Sequence, residues 1–282
     1  MLIIKKGKDI ENQLKSYVKQ GKTVGFVPTM GALHKGHISL LERSKKQCKL
    51  TVCSIFVNPT QFNDKSDFDK YPNTIDRDIE ILIDAGCDIL FLPTVKEMYP
   101  DGFENKAKID FGFIAETLEG EHRPGHFNGM AQIVEKLLKV VKPDKLFMGQ
   151  KDYQQQLIVR QLIKKRRFKI ELVTCATTRE KDGLAMSSRN VRLDKEARKL
   201  AVEISRTLKK VKSEIRSQKS EIADVQETGF KQLSAFKGIE IEYFEIRNAE
   251  TLHPAKRKSE KMVALVAAKI GGVRLIDNLL LN

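Results

Sequence analysis

The chain is 282 residues long, which is about two domains' worth and ample for a buried core. Its four cysteines have no C-x-x-C or zinc-type spacing, the N-terminus lacks the apolar run of a signal peptide, and no stretch approaches the roughly 18 apolar residues of a membrane span. A disulfide scaffold, a zinc knuckle and a membrane protein are therefore excluded, and a soluble cytoplasmic protein with free thiols is expected, whose net charge of +14 fits nucleic acid, anionic lipid or small anionic substrates without choosing among them.

Ile10, Leu14 and Val18 form one apolar stripe, which predicts a first helix over 9–20, ended by Gly21. Residues 23–27 read as a buried strand, followed by the stretch Val27-Pro28-Thr29-Met30-Gly31-Ala32-Leu33-His34-Lys35-Gly36-His37 and a helix over 37–48. The uninterrupted apolar run 50–57 suits a parallel sheet covered on both faces and is bounded by Asn58-Pro59. Residues 63–71 are polar and acidic and are expected to form a mobile loop; 74–85 is a helix, 88–92 a strand and 93–127 irregular. An amphipathic helix follows over 130–141, stopped by Pro143, then a strand at 145–148, a helix at 152–165 and a last core strand at 169–174. This alternation predicts an α/β fold with a doubly wound, Rossmann-like parallel sheet that collects ligands beyond the carboxyl ends of its strands. The pattern breaks in the charged, small-residue stretch 178–190, so the chain divides into domains 1–178 and 179–282. The second is a smaller α+β domain, with helices at 194–219 and 222–236 and strands at 239–246, 262–270 and 273–277.

Several stretches at or after strand ends have residue types suited to chemistry. Gly31 and Gly36 allow a sharp turn and close approach to a ligand, while His37 opens a helix whose free N–H groups and dipole favour an anion. His34 and His37 add donors that can point at one phosphate group, although the tetrapeptide alone reads equally as a polar turn with one histidine capping the helix. Gly149 leaves room for a nucleotide beside Lys151 and Asp152, which would otherwise be an exposed helix start. Met186-Ser187-Ser188-Arg189 offers hydroxyls and a cation to a leaving pyrophosphate, or serves as an interdomain hinge with capping serines. Gln61 and Gln155 can read hydroxyls and a carboxylate without adding charge, and are otherwise ordinary surface glutamines. His122 and His126 have i, i+4 spacing, but Pro124 and Gly125 between them forbid a zinc-binding helix face, and no metal site is expected there.

Pro28-Thr29-Met30-Gly31-x-Leu33-His34-x-Gly36-His37 resembles the HxGH signature of nucleotidyltransferases in the form used by the pantothenate synthetase family. The resemblance recurs in family order at Asn58-Pro59-Thr60-Gln61-Phe62, Arg123-Pro124-Gly125-His126-Phe127, Gly149-Gln150-Lys151-Asp152-Tyr153-Gln154-Gln155, Lys181-Asp182-Gly183-Leu184-Ala185-Met186-Ser187-Ser188-Arg189-Asn190 and Arg274-Leu275-Ile276-Asp277-Asn278. It implies an ATP-dependent ligase that joins pantoate to β-alanine through a pantoyl adenylate and releases AMP and pyrophosphate, with Mg2+ accompanying the ATP. It further implies ATP contacts from Met30, Gly31, His34, Gly36 and His37, from Gly149, Gln150, Lys151 and Asp152, and from Thr178, Met186, Ser187, Ser188 and Arg189. His34, His37, Lys151 and Arg189 would be catalytic, Gln61 and Gln155 would bind pantoate, Gln61 would also meet β-alanine, and the enzyme would be a homodimer.

The chain departs from the family pattern in three places. Asn73 stands where an arginine is usual, Met148 where a phenylalanine is usual, and Arg77 where related enzymes often have an acid. Asp78 is then the one weak candidate for a protein ligand to magnesium. Two other readings are an HxGH cytidylyl- or adenylyltransferase, which Gln61 and Gln155 do not support, and a basic RNA-binding protein related to tRNA synthetases. The second lacks support because the basic residues are dispersed, with short runs such as Lys164-Lys165-Arg166-Arg167 and no interleaved aromatic platforms. No nucleic-acid or membrane partner is expected.

Overall fold

The computed structural model describes residues 1–63, 65–103 and 109–282. In chain order these form β1 (Leu2–Ile4), α1 (Gly7–Lys19), β2 (Val24–Thr29), α2 (Lys35–Gln47), β3 (Leu50–Ile55), α3 (Lys65–Asp69), α4 (Ile75–Asp84), β4 (Ile89–Phe91), α5 (Val95–Met98), α6 (Phe113–Glu116), α7 (Glu119–His122), α8 (His126–Val141), β5 (Lys145–Gly149), α9 (Tyr153–Lys165) and β6 (Glu171–Cys175). The remainder is α10 (Lys195–Ser217), α11 (Ile222–Ser234), β7 (Ile239–Asn248), β8 (Met262–Ile270) and β9 (Val273–Leu280). Two compact units result, one of Met1–Ala115, Arg123–Gly149 and Gln154–Ala176, the other of Glu116–His122, Gln150–Tyr153 and Thr177–Asn282. Where the sequence reading made a single cut at 178/179, the second unit also takes in two short segments that precede the cut.

In the first unit the strands lie in the order β1-β4-β3-β2-β5-β6, every neighbouring pair parallel. The chain winds outward from β2 through β3 to β4 and then crosses to β5 and β6 on the other side, so the order reverses between β2 and β5. That reversal is the topological switch point where an open α/β sheet leaves a crevice. Pro28 helps to open it. The N–H of Val24 faces β5, bonding to Asp144 Oδ2 at 2.7 Å, so by the two-residue period of a strand the hydrogen-less nitrogen of Pro28 faces β5 too. It lies two residues past Phe26↔Leu146, the last β2–β5 pair, whereas β2 stays paired with β3 as far as Thr29↔Ile55. β3 is buried along its whole length and β2 nearly so, as expected for continuous apolar strands with helices on both faces. Val27, Leu41, Cys53, Leu82, Leu90 and Phe147 belong to the core that this arrangement closes.

The second unit carries an antiparallel sheet, β7-β8-β9, against which α10 and α11 close a separate core that includes Val202, Leu208, Val211, Leu233, Phe244 and Val266. A β-rich run and a pair of amphipathic helices thus bury each other as segregated layers.

The structure corrects several expectations. β1 was not expected, being too short to show a period, and it sits at the sheet edge beside β4. The stretch 63–71, read as a loop, contains α3; Phe62 meets Phe68 and Tyr71 edge-on, with ring centroids 5.3 and 5.7 Å apart, while Asp64 lies outside the described residues. The region 93–127, read as irregular, contains α5, α6 and α7, and its residues 104–108 are likewise outside the described residues. α8 starts at His126 rather than 130, led by Gly125 at φ 81°. Its first turn contains Gly129, where a Cβ would lie 2.1 Å from the Thr60 carbonyl oxygen, so this glycine is a packing requirement rather than a helix breaker. Among the described residues no helix is long and apolar enough to cross a membrane.

Candidate active site

Leaving β2, the chain turns through residues 30–34 before α2 begins. Gly31 and Ala32 both have positive φ, 82° and 50°. For Ala32 this costs on the order of 1–2 kcal/mol, so something must hold the turn. Asp78, on the first turn of α4 and only 1% exposed, does so with both carboxylate oxygens: Oδ2 accepts the N–H of Ala32 and Oδ1 that of Leu33, each at 2.8 Å. Thr74 Oγ1 adds a third donor to Oδ2 at 3.3 Å. Gly31 donates its N–H to Thr29 Oγ1 at 3.2 Å, and that hydroxyl donates to the Ser54 carbonyl at 2.8 Å. A Cβ on Gly31 would lie 3.0 Å from Asp78 Oδ2 and 3.1 Å from Ile55 Cγ2. The carboxylate that the sequence offered weakly to magnesium is therefore engaged by the loop backbone. Arg77 and Asn73, the two departures beside it, are exposed, and Met148 is buried in the sheet.

At the start of α2 the two histidines cap the helix together. His34 Nδ1 accepts the N–H of Gly36 at 3.1 Å, and His37 Nδ1 accepts the N–H of His34 at 3.3 Å. The ring centroids are 4.1 Å apart with planes tilted by 37°. Because each Nδ1 accepts, each neutral ring carries its proton on Nε2. Capping and ligand binding, which the sequence posed as alternatives, are compatible here: the capping bonds fix the rings and so orient the Nε2–H donors. The positive end of the α2 dipole lies at the same place.

β3 and β5 flank β2 in parallel, so all three strands end on one rim of the sheet. After β3 comes a single 3-10 turn, Pro59–Gln61, which carries Gln61. Asn58 anchors its start, donating from Nδ2 to the Gly129 carbonyl at 3.1 Å and accepting at Oδ1 from the Tyr99 hydroxyl at 2.7 Å. Burial pushes the Tyr99 phenol up, which keeps it protonated as a donor. His126 holds the end of the turn. Its Nδ1 is 2.7 Å from the Gln61 carbonyl and its Nε2 is 3.2 Å from Arg123 Nη1. A carbonyl can only accept and a guanidinium only donate, which fixes the Nδ1–H tautomer. Gln155 lies on the first turn of α9, beside the buried Gln154, whose Nε2 donates to the Ile114 carbonyl at 2.6 Å. Asn58, Asp78, Tyr99 and His126 were not singled out from the sequence as supports. A buried acid on an amphipathic helix and the polar residues flanking Gly125 were the visible signals.

Apart from Gly149, the last residue of β5, the remaining candidates belong to the second unit. Lys151 Nζ is 3.8 Å from Asp152 Oδ1, with the lysine side chain 18% and the aspartate 50% exposed. Residues 178–190, expected as an irregular loop, have an internal scaffold. The N–H of Met186 donates to the Thr178 carbonyl at 3.0 Å, that of Glu180 to Leu184 at 2.8 Å, and Arg179 and Ala185 form an antiparallel bridge. Asn190 Nδ2 donates to the Ala185 carbonyl at 3.0 Å, and Ser187 caps the 3-10 turn Ser188–Arg192 by accepting the N–H of Arg189 at 3.3 Å. Arg198, 2.8 Å from Asp182, holds that carboxyl below its usual range at the hairpin tip. Among the described residues no group of three or more His, Cys, Asp or Glu side chains is placed to hold a metal ion.

Comparison with known proteins converges on one family. A family model described as pantoate-beta-alanine ligase matches residues 2–280. A pantothenate synthetase of Cytophaga hutchinsonii is 46% identical over 265 residues, 93% of each chain, and one of Acetivibrio thermocellus is 40% identical over the full length of both. Among solved structures, a pantothenate synthetase from Thermus thermophilus superposes with a TM-score of 0.93 at 39% identity, covering 100% of this chain and 99% of that one. A pantoate-beta-alanine ligase from Francisella tularensis, complexed with beta-gamma ATP and beta-alanine, gives 0.80 at 38% identity, covering 100% and 98%.

Proposed function

The chain belongs to the pantoate–β-alanine ligase family, and from that premise we propose how its side chains divide the work. The reaction condenses pantoate with β-alanine at the expense of ATP. A pantoate carboxylate oxygen attacks the α-phosphorus and pyrophosphate leaves with the electron pair of the broken P–O bond. The β-alanine amine then attacks the acyl carbon, losing a proton and expelling AMP. Such phosphorus chemistry is accelerated mainly by positioning and by donors aimed at developing charge.

His34 and His37 supply two such donors through Nε2–H, backed by the N-terminus of α2. The observation that carries this assignment is their reciprocal capping, which removes the rotational freedom of both rings before substrate arrives. Met30, Gly31 and Gly36 bring backbone close to the nucleotide, as do Gly149, Gln150 and Asp152. Lys151, Ser187, Ser188 and Arg189 neutralise the triphosphate and follow the pyrophosphate as it leaves, with Thr178 and Met186 lining the nucleotide. Gln61 and Gln155 read pantoate on the shared rim, and Gln61 also meets β-alanine. Bound together with ATP, Mg2+ would neutralise phosphate charge, and Asp78 is given no part in holding it because both its oxygens already accept backbone N–H groups. The family resemblance supports a cytoplasmic homodimer.

The test is to measure the half-reactions separately in His34→Ala and His37→Ala. Pantoate-dependent exchange between ATP and pyrophosphate should fall by about 10²–10³-fold in each, the usual cost of one lost transition-state donor. Near-normal adenylation in both would reduce the histidines to helix caps.

A further inference from the structure

The motif Arg274-Leu275-Ile276-Asp277-Asn278 has no task in the scheme above, yet it places two polar residues in the middle of β9. Asp277 and Asn278 are only 4% and 2% exposed. Burying a carboxylate and an amide on a strand is costly unless their polar atoms are satisfied. Here they are, and their partners are the two segments of this unit assigned to ATP. Asn278 Nδ2 donates to two successive carbonyls, Gln150 at 3.0 Å and Lys151 at 2.8 Å, and its Oδ1 accepts from Gln150 Nε2 at 3.3 Å. Asp277 takes Arg179 in a fork, Oδ2 from Nη1 at 2.6 Å and Oδ1 from Nη2 at 2.9 Å, and Oδ1 also accepts the N–H of Asn278 at 2.7 Å. Arg179 goes on to donate to the Gly183 carbonyl at 3.1 Å and to the Asn278 carbonyl at 3.3 Å, tying the first strand of the hairpin that leads into Ser187, Ser188 and Arg189 to its turn and to β9.

We propose that Asp277 and Asn278 are positioning residues for the adenylation step, setting Lys151 and the Ser187-Ser188-Arg189 turn in register with each other from one rigid strand. The inference rests on the reading that Lys151 and Arg189 act on the triphosphate. Neither β9 residue is assigned a substrate contact in that reading. Each acts on a backbone that carries a group which does: Asn278 pins the Lys151 carbonyl, and Asp277 pins the first strand of the hairpin through a bidentate guanidinium. Fixing the main chain at adjacent residues of a single strand leaves the two segments little freedom to drift apart. A misplacement of about 1 Å at such groups is enough to cost on the order of 10²-fold in rate.

The experiment is a pair of double-mutant cycles read in kcat for pantoate-dependent ATP–pyrophosphate exchange, Asn278→Ala with Lys151→Ala and Asp277→Asn with Arg189→Ala. Circular dichroism checks that each variant is folded, and Asn278→Asp, which keeps the size but turns oxygens toward the two carbonyls, replaces Asn278→Ala if the latter does not fold. Each β9 variant should lower kcat by about 10²-fold with a smaller change in KM for ATP. Each double variant should be no slower than the slower of its singles within about 3-fold, because removing the positioned group leaves nothing to position. Multiplicative losses in either cycle, or a folded β9 variant with wild-type kcat, would overturn the proposal. If Lys151→Ala and Arg189→Ala were themselves fully active, the ATP assignment would fall and the proposal with it. Slow Lys151 and Arg189 variants beside normal β9 variants would remove the proposal alone.

Discussion

Replacing Asp78 by alanine should disable the HxGH loop without touching a residue assigned to any substrate. The substitution removes the acceptor of two backbone N–H groups, those of Ala32 and Leu33, both bonded at 2.8 Å. An abandoned buried donor costs about 1–3 kcal/mol, so the native turn loses about 2–6 kcal/mol of support, and the positive φ of Ala32 adds about 1–2 kcal/mol of strain that is no longer held. A domain is stable by about 5–15 kcal/mol, so the protein should fold while the loop relaxes out of its native shape. Every 1.4 kcal/mol of relaxation removes tenfold of the competent population, which predicts a fall of at least about 10²-fold in kcat/KM for ATP in the exchange assay. Asp78→Asn, which keeps one acceptor and turns an amide N–H toward the other donor, should fall in between. Titrating Mg2+ separates this account from a metal-ligand role: half-saturation should not move in Asp78→Asn. Exchange within threefold of wild type in Asp78→Ala, or a large rise in the Mg2+ requirement, would refute the reasoning.

Other consequences follow from the rim, the thiols and the charge. Gln61→Ala and Gln155→Ala should cost pantoate heavily and a deoxy analogue little, because a site that hydrogen-bonds hydroxyls can discriminate by about 10⁴-fold; equal losses in kcat/KM for both acids would return the glutamines to packing. Cys87, whose thiol burial pushes up to about 11, favours the neutral form in the folded state. Its contribution is complete below the ordinary value of 9.0 and is lost as pH rises from there through about 11. Thermal scans should therefore show Tm falling across that window, as this thiol's contribution to stability drops by about 1.4 kcal/mol per pH unit at most, and falling less steeply in Cys87→Ala. The +14 charge should give only weak RNA or duplex binding that collapses with salt; sequence-selective, submicromolar binding at physiological salt would contradict this.

How much of this was legible in the sequence depended on whether a feature is local. β2 and β3 were readable because strands buried on both faces are continuous apolar runs, and the helices of the second unit because each carries a long apolar stripe. Short elements such as β1 and α5 to α7 were not, since three or four residues show no period. The start of α8 was hidden because Pro124, Gly125 and Gly129 read as loop residues, while the structure uses Gly125 to lead into the helix and Gly129 to admit the Thr60 carbonyl. At the site, the histidines and the Ser-Ser-Arg turn were visible because their chemistry and their spacing are both local. Asp78 and the β9 pair stood out as residues but their supporting roles did not, because those roles lie in contacts 45 and 127 residues away in sequence. The one local hint was polarity out of place: an Asp-Asn pair between Leu275-Ile276 and Leu279-Leu280 has to be satisfied by something distant.

The central claim is that the pantoate carboxylate attacks the α-phosphorus of ATP, and following the carboxylate oxygens tests it most directly. Pantoate labelled with oxygen-18 in both carboxylate positions, incubated with ATP, Mg2+, β-alanine and the enzyme, should transfer one labelled oxygen to AMP and leave the other in the amide carbonyl of pantothenate, with none in pyrophosphate. Label recovered in inorganic phosphate, with ADP as the nucleotide product, would place the attack at the γ-phosphorus and contradict the account.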